Sequence, residues 1–399
     1  MMRFEFYNPT RLIFGAGSLA QLGKAARPYG KKALLVIGRG SIKRSGAFDR
    51  AVSALEEAGI SIVEFSGIEP NPRLSTAMRA AELARKESCD MVIGMGGGSV
   101  MDASKIIAAL VFYEGNPKDM FMRAGKIARP PERALPIITV PTLAATGSEM
   151  NCGAVITFDD EKLKTFVRAE VLYPRVAVAD PELTLTVPRD HTAYGISDML
   201  AHVAESYLNA IEGTPIQDRF AEGVMLTILE WGPRVVENGN DLEARTQIQW
   251  ASIVAWNGWV QVGTEHMLPV HMIEHVLSGL YDIPHGAGLA ALLPAWMRFA
   301  ARFRPQRFAQ FAQRVFGLSA NGEDKMSLAM KGIEKYEEFL RSIGCPTRLS
   351  ELGIGKITEE MLFHWAEESL KVNCDAEGRL PGRPPLRKED IIEVLRMAL

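Results

Sequence analysis

Two pairs of side chains in the second half of the chain have the types and spacing of a metal site. Asp198 and His202 are four residues apart, as are His271 and His275, and His285 follows in the loop DIPHGAG. Residues four apart lie on one face of a helix, one turn from each other. One carboxylate with three imidazoles suits iron(II) or zinc and leaves room for a substrate oxygen. Five candidates compete for about four positions, so one of them must stand outside the ligand set.

The remaining histidines do not share this spacing. His191 and His266 lie in the same half of the chain without a partner at helical distance, and His364 is remote in sequence. A lone histidine is more often packed or solvated than bound to a metal. We therefore interpret these three as structural or surface residues.

A run of glycines after an apolar stretch indicates an anion-binding turn. Gly96, Gly97 and Gly98 follow DMVIGM, and a helical pattern begins near Ser99. Glycines let the backbone approach a pyrophosphate, and the free amides at the start of a helix favour negative charge. The S-x-x-D spacing of Ser99 and Asp102 also fits a capping box, so a purely structural role is the alternative for that pair.

A second loop, VPTLAATGSE (140–149), follows the next apolar stretch. It concentrates Thr142, Thr146, Gly147 and Ser148, whose hydroxyls and small size suit a phosphate or a ribose. Ser, Thr and Gly also populate ordinary turns, so this signal is weak by itself. Its value is that ligands of open α/β sheets bind at the carboxyl ends of the strands, where both loops are predicted to lie.

A third loop, GRGSIKRSG, follows the strand-like run ALLVI and bears on the choice of cofactor. Its small or cationic residues are Gly38, Arg39, Gly40, Ser41, Lys43 and Arg44. A cofactor without a 2′-phosphate is usually held by an acid near this place, and the loop has none. The sequence therefore favours NADP(H) over NAD(H), with solvated surface charges as the alternative interpretation of the cations.

These loops need a sheet to position them, and the first ~185 residues have the pattern of one. β-Branched runs at 33–37, 61–65, 90–95 and 135–140 predict four strands, and helical spacing covers 47–58 and 76–86. Strands alternating with helices are typical of a parallel sheet covered by helices. The nearly uninterrupted apolar strands indicate burial on both faces.

The sequence pattern changes after residues 180–190, where strand-like runs end and helical patterns continue to the C-terminus. The predicted helices are 191–210, 215–236, 242–262, 266–279, 286–302, 325–343, 358–371 and 388–398. Residues 377–390 are predicted as a loop because Pro and Gly would break a helix there. The sequence thus predicts an α/β dinucleotide-binding domain (1–185) and an all-helical, metal-binding catalytic domain (186–399).

Composition excludes several other classes of protein. The net charge of -3 with scattered basic residues argues against nucleic-acid binding. No apolar run approaches the ~18 residues that a membrane span needs, and the start MMRFEFYNPT lacks the features of a secretory signal, so we expect a cytoplasmic protein. Widely spaced cysteines indicate reduced thiols: Cys89, Cys152, Cys345 and Cys374.

The sequence resembles the iron-containing (group III) alcohol dehydrogenase family, and within it the butanol dehydrogenase-like, NADPH-dependent aldehyde reductases. The matching pieces are FYNPTRLIFGAG, GMGGGSVMDASK, PTLAATGSE, the Asp198 to His202 spacing, VHMIEHVLSGLYDIPHGAG and, more weakly, LPGRPPLRKEDI. The resemblance implies an N-terminal dinucleotide-binding domain, an all-helical C-terminal domain and a cleft with a metal between them.

The same resemblance implies a role for each matched residue. The metal ligands would be Asp198, His202, His271 and His285, and His275 would act in proton relay or substrate contact. The implied cofactor residues are Gly96, Gly97, Gly98, Ser99, Thr142, Thr146 and Lys164. Two departures from the family pattern are Leu143, in a loop that more often reads PTTAGTGSE, and Gly38, where NAD-preferring relatives carry an aspartate.

The expected reaction is hydride transfer between NADP(H), or NAD(H), and a primary alcohol or aldehyde, with the metal as Lewis acid. A homodimer is expected because relatives commonly form one. The alternatives are a metal- and NAD-dependent lyase resembling dehydroquinate synthase, which would need basic residues for a polyanionic substrate, and a catalytically silent relative.

Overall fold

The computed structural model describes residues 3–320 and 322–399, which form two compact units. The α/β unit comprises residues 7–188 and 238–253. The helical unit comprises 189–237 and 254–399, with the first described residues as far as Phe6. The division after residue 185 stays a prediction, and the segment 238–253 joins the first unit although it follows that point in sequence.

The α/β unit is built on a six-stranded sheet in which all pairings are parallel, in the order β1-β10-β7-β4-β2-β3. Two antiparallel hairpins, β5-β6 and β8-β9, lie outside it. The strands are β1 (Arg11–Phe14), β2 (Lys32–Ile37), β3 (Ser61–Phe65), β4 (Met91–Gly96), β5 (Met122–Arg123), β6 (Lys126–Ile127), β7 (Ile137–Pro141), β8 (Gly153–Phe158), β9 (Leu163–Arg168) and β10 (Val176–Ala179).

The sheet order explains why three separate loops can serve one ligand. Strands β7, β4 and β2 are neighbours, and the three glycine- and hydroxyl-rich loops follow their carboxyl ends. The central strands β4 and β7 are fully buried, as their apolar sequences predict. Strand β3 is only partly buried because it forms the edge of the sheet.

Helices cover the sheet in the first unit and make up the second. They are α1 (Leu22–Ala26), α2 (Ser41–Arg44), α3 (Ala47–Glu57), α4 (Leu74–Lys86), α5 (Gly98–Leu110), α6 (Arg189–Leu208), α7 (Pro215–Glu237), α8 (Leu242–Ala255), α9 (Pro269–Tyr281), α10 (His285–Ala301), α11 (Pro305–Phe316), α12 (Lys325–Ser342), α13 (Glu359–Val372) and α14 (Lys388–Met397). Within the described residues, no helix joins enough length to enough apolar character to cross a bilayer.

One predicted helix was too long, and several elements were not predicted. The helix predicted for 242–262 ends at Ala255, whose carbonyl accepts a hydrogen bond from the Gln261 side chain at 2.7 Å. The chain turns there because Gly258 adopts a φ of 99° and the Asn257 carboxamide accepts the Trp259 N–H. Strands β1 and β10 and both hairpins were missed because their runs are short. Helix α11 was also missed, although its apolar residues have helical spacing.

Candidate functional site

Helices α6 and α9 bring the predicted metal-binding residues together around one carboxylate oxygen. Asp198 Oδ1 lies 3.3 Å from His202 Nδ1, 3.8 Å from His271 Nε2 and 3.8 Å from His285 Nε2. The spacing of four residues places Asp198 and His202 on one face of α6, as predicted. His285 arrives from the first residue of α10. All four predicted ligands therefore converge in the helical unit.

The converging atoms are buried and lack hydrogen-bond partners. Asp198, His202 and His271 are at most 6% exposed, and among the described residues Asp198 Oδ1, His202 Nδ1 and His271 Nε2 have no hydrogen-bond partner. Buried polar atoms are normally paired, because leaving one unpaired costs free energy. Together with His285, these atoms form a site that is suited to a metal cation.

A buried glutamate stands behind His271. Glu205 is fully buried on α6, and its Oε2 contacts His271 Nδ1. Its other oxygen accepts the backbone N–H of Val270 at 2.7 Å. A carboxylate on Nδ1 fixes the ring so that Nε2 points toward Asp198, and it raises the basicity of that nitrogen.

A second buried glutamate stands behind His285 in the same way. Glu274 Oε2 contacts His285 Nδ1, and Glu274 Oε1 accepts the Ser278 hydroxyl. The carboxylate fits because residue 288 is glycine: a Cβ there would come within 2.6 Å of Glu274 Oε1. Two of the three imidazoles therefore have their tautomer and orientation set by a carboxylate.

The electrostatics of the site favour a positive centre. Burial raises the pKa of Asp198, but His202, His285 and His271 outweigh it and the net pKa lies well below its usual range. Burial lowers the pKa of His202 to about 3, so that ring is neutral and able to ligate. Burial also lowers the pKa of His271, yet Glu205 and Asp198 overcome it and raise the value to about 9.

His275 and Trp256 surround this cluster. His275 is buried one turn after His271 on α9, and its ring lies 5.4 Å from that of His285. Glu274, His275 and His285 form a second group of ligand-type side chains beside the group of Asp198, His202 and His271. Trp256 stacks on His202 with ring centroids 4.8 Å apart and meets His266 edge-on at 5.4 Å. An apolar wall therefore flanks the polar centre.

The two predicted cofactor loops lie directly against each other in the α/β unit. A Cβ on Gly98 would come within 2.5 Å of the Thr146 side chain, and one on Gly97 would lie 3.5 Å from Leu143. The Thr142 N–H donates to the Gly96 carbonyl at 3.0 Å. Ser99 lies in the first turn of α5 beside them. Glycine is needed here because the loops approach so closely.

Asp102 ties the two loops together instead of capping its own helix. Its Oδ1 accepts the Ser148 hydroxyl at 2.5 Å and its Oδ2 accepts the Val155 N–H at 2.8 Å. The capping box considered for Ser99 and Asp102 is wrong, because the helix begins after Gly97 and has no side-chain cap. Direct contact of Asp102 with a cofactor stays a prediction.

Lys105, which was not predicted from the sequence, also links α5 to the second loop. Its ammonium is fully buried and donates to Ser148 Oγ at 2.8 Å, to Asn151 Oδ1 at 3.0 Å and to the Gly153 carbonyl at 2.8 Å. All three donors of the ammonium thus serve the second loop and the strand that follows it. Lys105 and Asp102 lie one turn apart on α5, whose first residues form the glycine loop.

Burial shifts the pKa of three titratable residues at these loops: Lys105, Asp102 and Glu149. Burial lowers the pKa of Lys105 to about 8 although Asp102 opposes this shift, and burial raises the pKa of Asp102. Burial also raises the pKa of Glu149, which lies in the second loop, to about 7. The physical cause is burial, since Lys105 and Glu149 are at most 1% exposed.

The other predicted cofactor residues lie near the same edge of the sheet. A Cβ on Gly38 would lie 3.7 Å from Val100 of α5, and Gly40 adopts a φ of 108° immediately before Ser41 begins α2. In the hairpin, Lys164 is buried and donates to Asn71 Oδ1 at 2.8 Å.

Spacing could have revealed the three functional residues that were missed. Glu205 follows Asp198 by seven residues and so lies on the same face of α6. Glu274 follows His271 by three residues, and Lys105 follows Asp102 by three. Each is a charged residue at helical distance from a residue already selected, so the spacing indicates a neighbouring side chain, although it does not indicate burial.

Models of one protein family match nearly the whole chain. The model described as iron-containing alcohol dehydrogenase matches residues 9–181, and the model described as the C-terminal part of the Fe-containing alcohol dehydrogenase family matches residues 192–399. The chain belongs to the iron-containing alcohol dehydrogenase family. The predicted family, fold class and enzyme class, a metal-dependent oxidoreductase acting on alcohols, are confirmed.

Similar members of this family extend over the full chain. A protein of Bacillus subtilis named probable NADH-dependent butanol dehydrogenase 1 is 39% identical over 100% of both chains. The NADPH-dependent aldehyde reductase YqhD of Escherichia coli is 35% identical over 92% of this chain and 94% of its own. The crystal structure of NADH-dependent butanol dehydrogenase A from Thermotoga maritima superposes with a TM-score of 0.93 at 39% identity, covering 100% of this chain and 99% of the other.

Replacing Glu205→Gln should weaken metal binding about 10- to 100-fold, because the amide no longer holds His271 with a negative charge. Competition with a chromophoric chelator measures the dissociation constant. Glu230→Gln, at an exposed position of α7, is the matched control and should bind metal like the unmodified protein. Equal affinities in both variants would show that Glu205 does not support the site.

Replacing Lys105→Met should weaken binding of the reduced nicotinamide cofactor by about tenfold or more, because the second loop loses three hydrogen bonds. Titration followed by cofactor fluorescence measures this change, and metal content should stay the same. Lys24→Met, at an exposed position of α1, serves as control. A folded Lys105 variant with unchanged cofactor affinity would refute the role of the ammonium.

Proposed function

We propose that this chain reversibly reduces aldehydes to primary alcohols with a nicotinamide cofactor and one divalent metal, held by Asp198, His202, His271 and His285. The observation that carries the proposal is the convergence of three imidazole nitrogens on one buried carboxylate oxygen. Iron(II) is the proposed metal, and zinc suits the same ligands.

The chemistry of these residues fits such a metal. For ligands about 2.1 Å from a tetrahedral ion, neighbouring ligand atoms lie about 3.4 Å apart, close to the separations of 3.3 and 3.8 Å around Asp198 Oδ1. Two of the rings are backed by buried glutamates, as is usual for metal-binding histidines. The unpartnered ring and carboxylate atoms supply the donors that the metal requires.

When bound, the metal would polarise the carbonyl oxygen as a Lewis acid, and the nicotinamide would carry the hydride. The protein supplies orientation and exclusion of water. Glu205 and Glu274 hold two imidazoles at fixed angles. The stacked Trp256 shields His202 from solvent on one face, which strengthens the electrostatic interactions around it.

We assign proton transfer to His275. Reduction of an aldehyde places a new proton on the substrate oxygen, and oxidation of an alcohol removes one. The His275 ring lies beside His285 and follows His271 by one turn of α9. An imidazole is suited to this exchange because its usual pKa lies near neutrality.

For the cofactor, we propose that NADP(H) is preferred and that NAD(H) is also accepted. Arg39, in the loop after β2, and Arg44, at the end of α2, are exposed and available to a 2′-phosphate. Lys43 is engaged, since its ammonium pairs with Glu64 at 2.6 Å and lies over the Phe48 ring. The names of the relatives include NADH- and NADPH-dependent enzymes, so either cofactor is compatible with the family. The proposed contacts include Gly38, Gly40 and Ser41.

For the substrate, we propose short aliphatic aldehydes and the corresponding alcohols. Relatives are named for butanol and for aldehydes, and Trp256 presents an apolar surface next to His202. An alkyl chain packs favourably on such a surface. The family assignment disfavours the lyase alternative.

We also propose a homodimer in the cytoplasm. Phe4, Phe6 and Tyr7 are large apolar side chains that stay at least 43% exposed within the first residues of the chain. Exposed large apolar side chains are frequent at contacts between proteins. Light scattering at several protein concentrations should give twice the mass of one chain, and a monomer throughout would refute the dimer.

Replacing His271→Ala should abolish metal retention and turnover together, because it removes a ligand. His275→Ala should retain the metal and lose about 10²- to 10⁴-fold in turnover, because it removes only the proton donor. Metal analysis with an assay of butyraldehyde reduction measures both effects. His364→Ala, at an exposed position of α13, should behave like the unmodified protein. Full activity of metal-stripped His271→Ala protein would refute the proposed function.

Replacing Arg39→Ala should lower kcat/KM for NADPH about tenfold and leave that for NADH nearly unchanged, because one charge-assisted hydrogen bond to the 2′-phosphate is lost. Steady-state rates with both cofactors measure the ratio. Arg27→Ala, also at an exposed position, is the control. An equal effect on both cofactors, or a preference of the unmodified protein for NADH, would contradict the cofactor proposal.

A further inference from the structure

Arginine side chains satisfy four consecutive carbonyl groups at the C-terminal end of α6. The acceptors are the carbonyls of residues 207–210. Arg307 donates Nε and Nη2 to the first at 2.9 and 2.7 Å, and Arg304 donates to the second at 2.6 Å and to the fourth at 2.9 Å. Arg383 donates Nη1 to the third at 2.6 Å. Three guanidinium groups therefore hold the end of one helix.

Such an arrangement is suited to fixing the position of a helix. The last carbonyls of a helix lack partners within it, and cations are favourable there because of the helix dipole. Arg307 and Arg304 come from the start of α11 and its preceding residue. Arg383 comes from the segment LPGRPPLRKED, which the sequence analysis placed in a loop without giving it a function.

Arg383 also binds the segment that leads into α9. Its Nη1 donates to the Glu265 carbonyl at 2.8 Å, and its Nη2 pairs with the Glu265 carboxylate at 3.1 Å. Its backbone N–H donates to Asn209 Oδ1 at 2.8 Å. Next to it, a Cβ on Gly382 would lie 3.3 Å from Pro269, the first residue of α9. One residue thus contacts the end of α6 and the approach to α9.

These two helices carry most of the metal centre proposed above. Asp198 and His202 lie on α6, and His271 lies on α9, only two residues after Pro269. Their atoms converge only if the two helices keep their relative position along their axes. A displacement of about 1 Å is enough to spoil a site of this kind.

From these contacts we infer that Arg383 is a positioning residue of the metal centre, acting through the backbone of α6 and the segment before α9. The inference rests on the proposed function. Arg383 touches none of the four ligands, and its side chain is 26% exposed, so the space that its removal vacates is open to solvent. A simple surface ion pair would contribute little, whereas a positioning role affects the metal site specifically.

The test uses Co²⁺ as a spectroscopic probe of the full-length protein. Arg383→Ala should raise the Co²⁺ dissociation constant about 10- to 100-fold and change the visible absorption of the bound ion, because the ligand geometry is altered. Added guanidinium ion should restore affinity and spectrum by occupying the vacated position. Arg396→Ala, which removes an exposed arginine paired with Glu359, should change neither property and should not respond to guanidinium.

A second variant keeps the test decisive if Arg383→Ala does not fold. Arg383→Lys retains the charge but cannot hold both carbonyls with the same geometry, so its Co²⁺ affinity should be intermediate. Unchanged affinity and spectrum in a folded Arg383 variant, or a loss that guanidinium does not reverse, would overturn the positioning role alone. Absence of Co²⁺ binding by the unmodified protein would refute the metal centre and this inference together.

Discussion

The helical unit must keep Asp198 buried among three histidines, and the rest of this unit is arranged to meet that requirement. Burying a carboxylate is unfavourable unless a positive charge lies close to it. Three imidazole nitrogens lie 3.3 to 3.8 Å from Asp198 Oδ1, an arrangement that suits a bound cation. The low pKa of Asp198 and the neutral ring of His202 follow from the same arrangement. The surrounding helices must therefore hold four side chains from three elements in one place.

Two kinds of contact hold the site: buried carboxylates bind the histidine rings, and arginine side chains bind the end of α6. Glu205 and Glu274 act directly on two of the rings, and Gly288 leaves room for one of those carboxylates. The α/β unit uses the same principle at its two predicted cofactor loops, where Lys105 and Asp102 connect α5 to the second loop. In both units, buried charged residues lie one or two helical turns from the predicted ligand-binding groups and hold them in place.

The sequence predicted the elements that have a strong periodic pattern and the residues that have a distinctive type. The strand SIVEF was predicted at its observed bounds. Spacing reduced the candidate ligands to five residues, and the family resemblance selected the four that are proposed. Partners such as Glu205 and Lys105 were missed because a charged residue on a helix is usually solvated, and only packing shows that it is buried. The end of α8 was misplaced because apolar residues continue at helical spacing beyond Ala255, while local hydrogen bonds stop the helix.

The most direct test of the metal centre is a crystal structure of the metal-loaded protein with anomalous diffraction recorded at the iron and zinc absorption edges. The proposed metal centre should give one anomalous peak in the helical unit, with Asp198 and the Nε2 atoms of His271 and His285 within about 2.0 to 2.3 Å and His202 completing the set. No peak at this position, or an ion bound instead by Glu274 and His275, would contradict it.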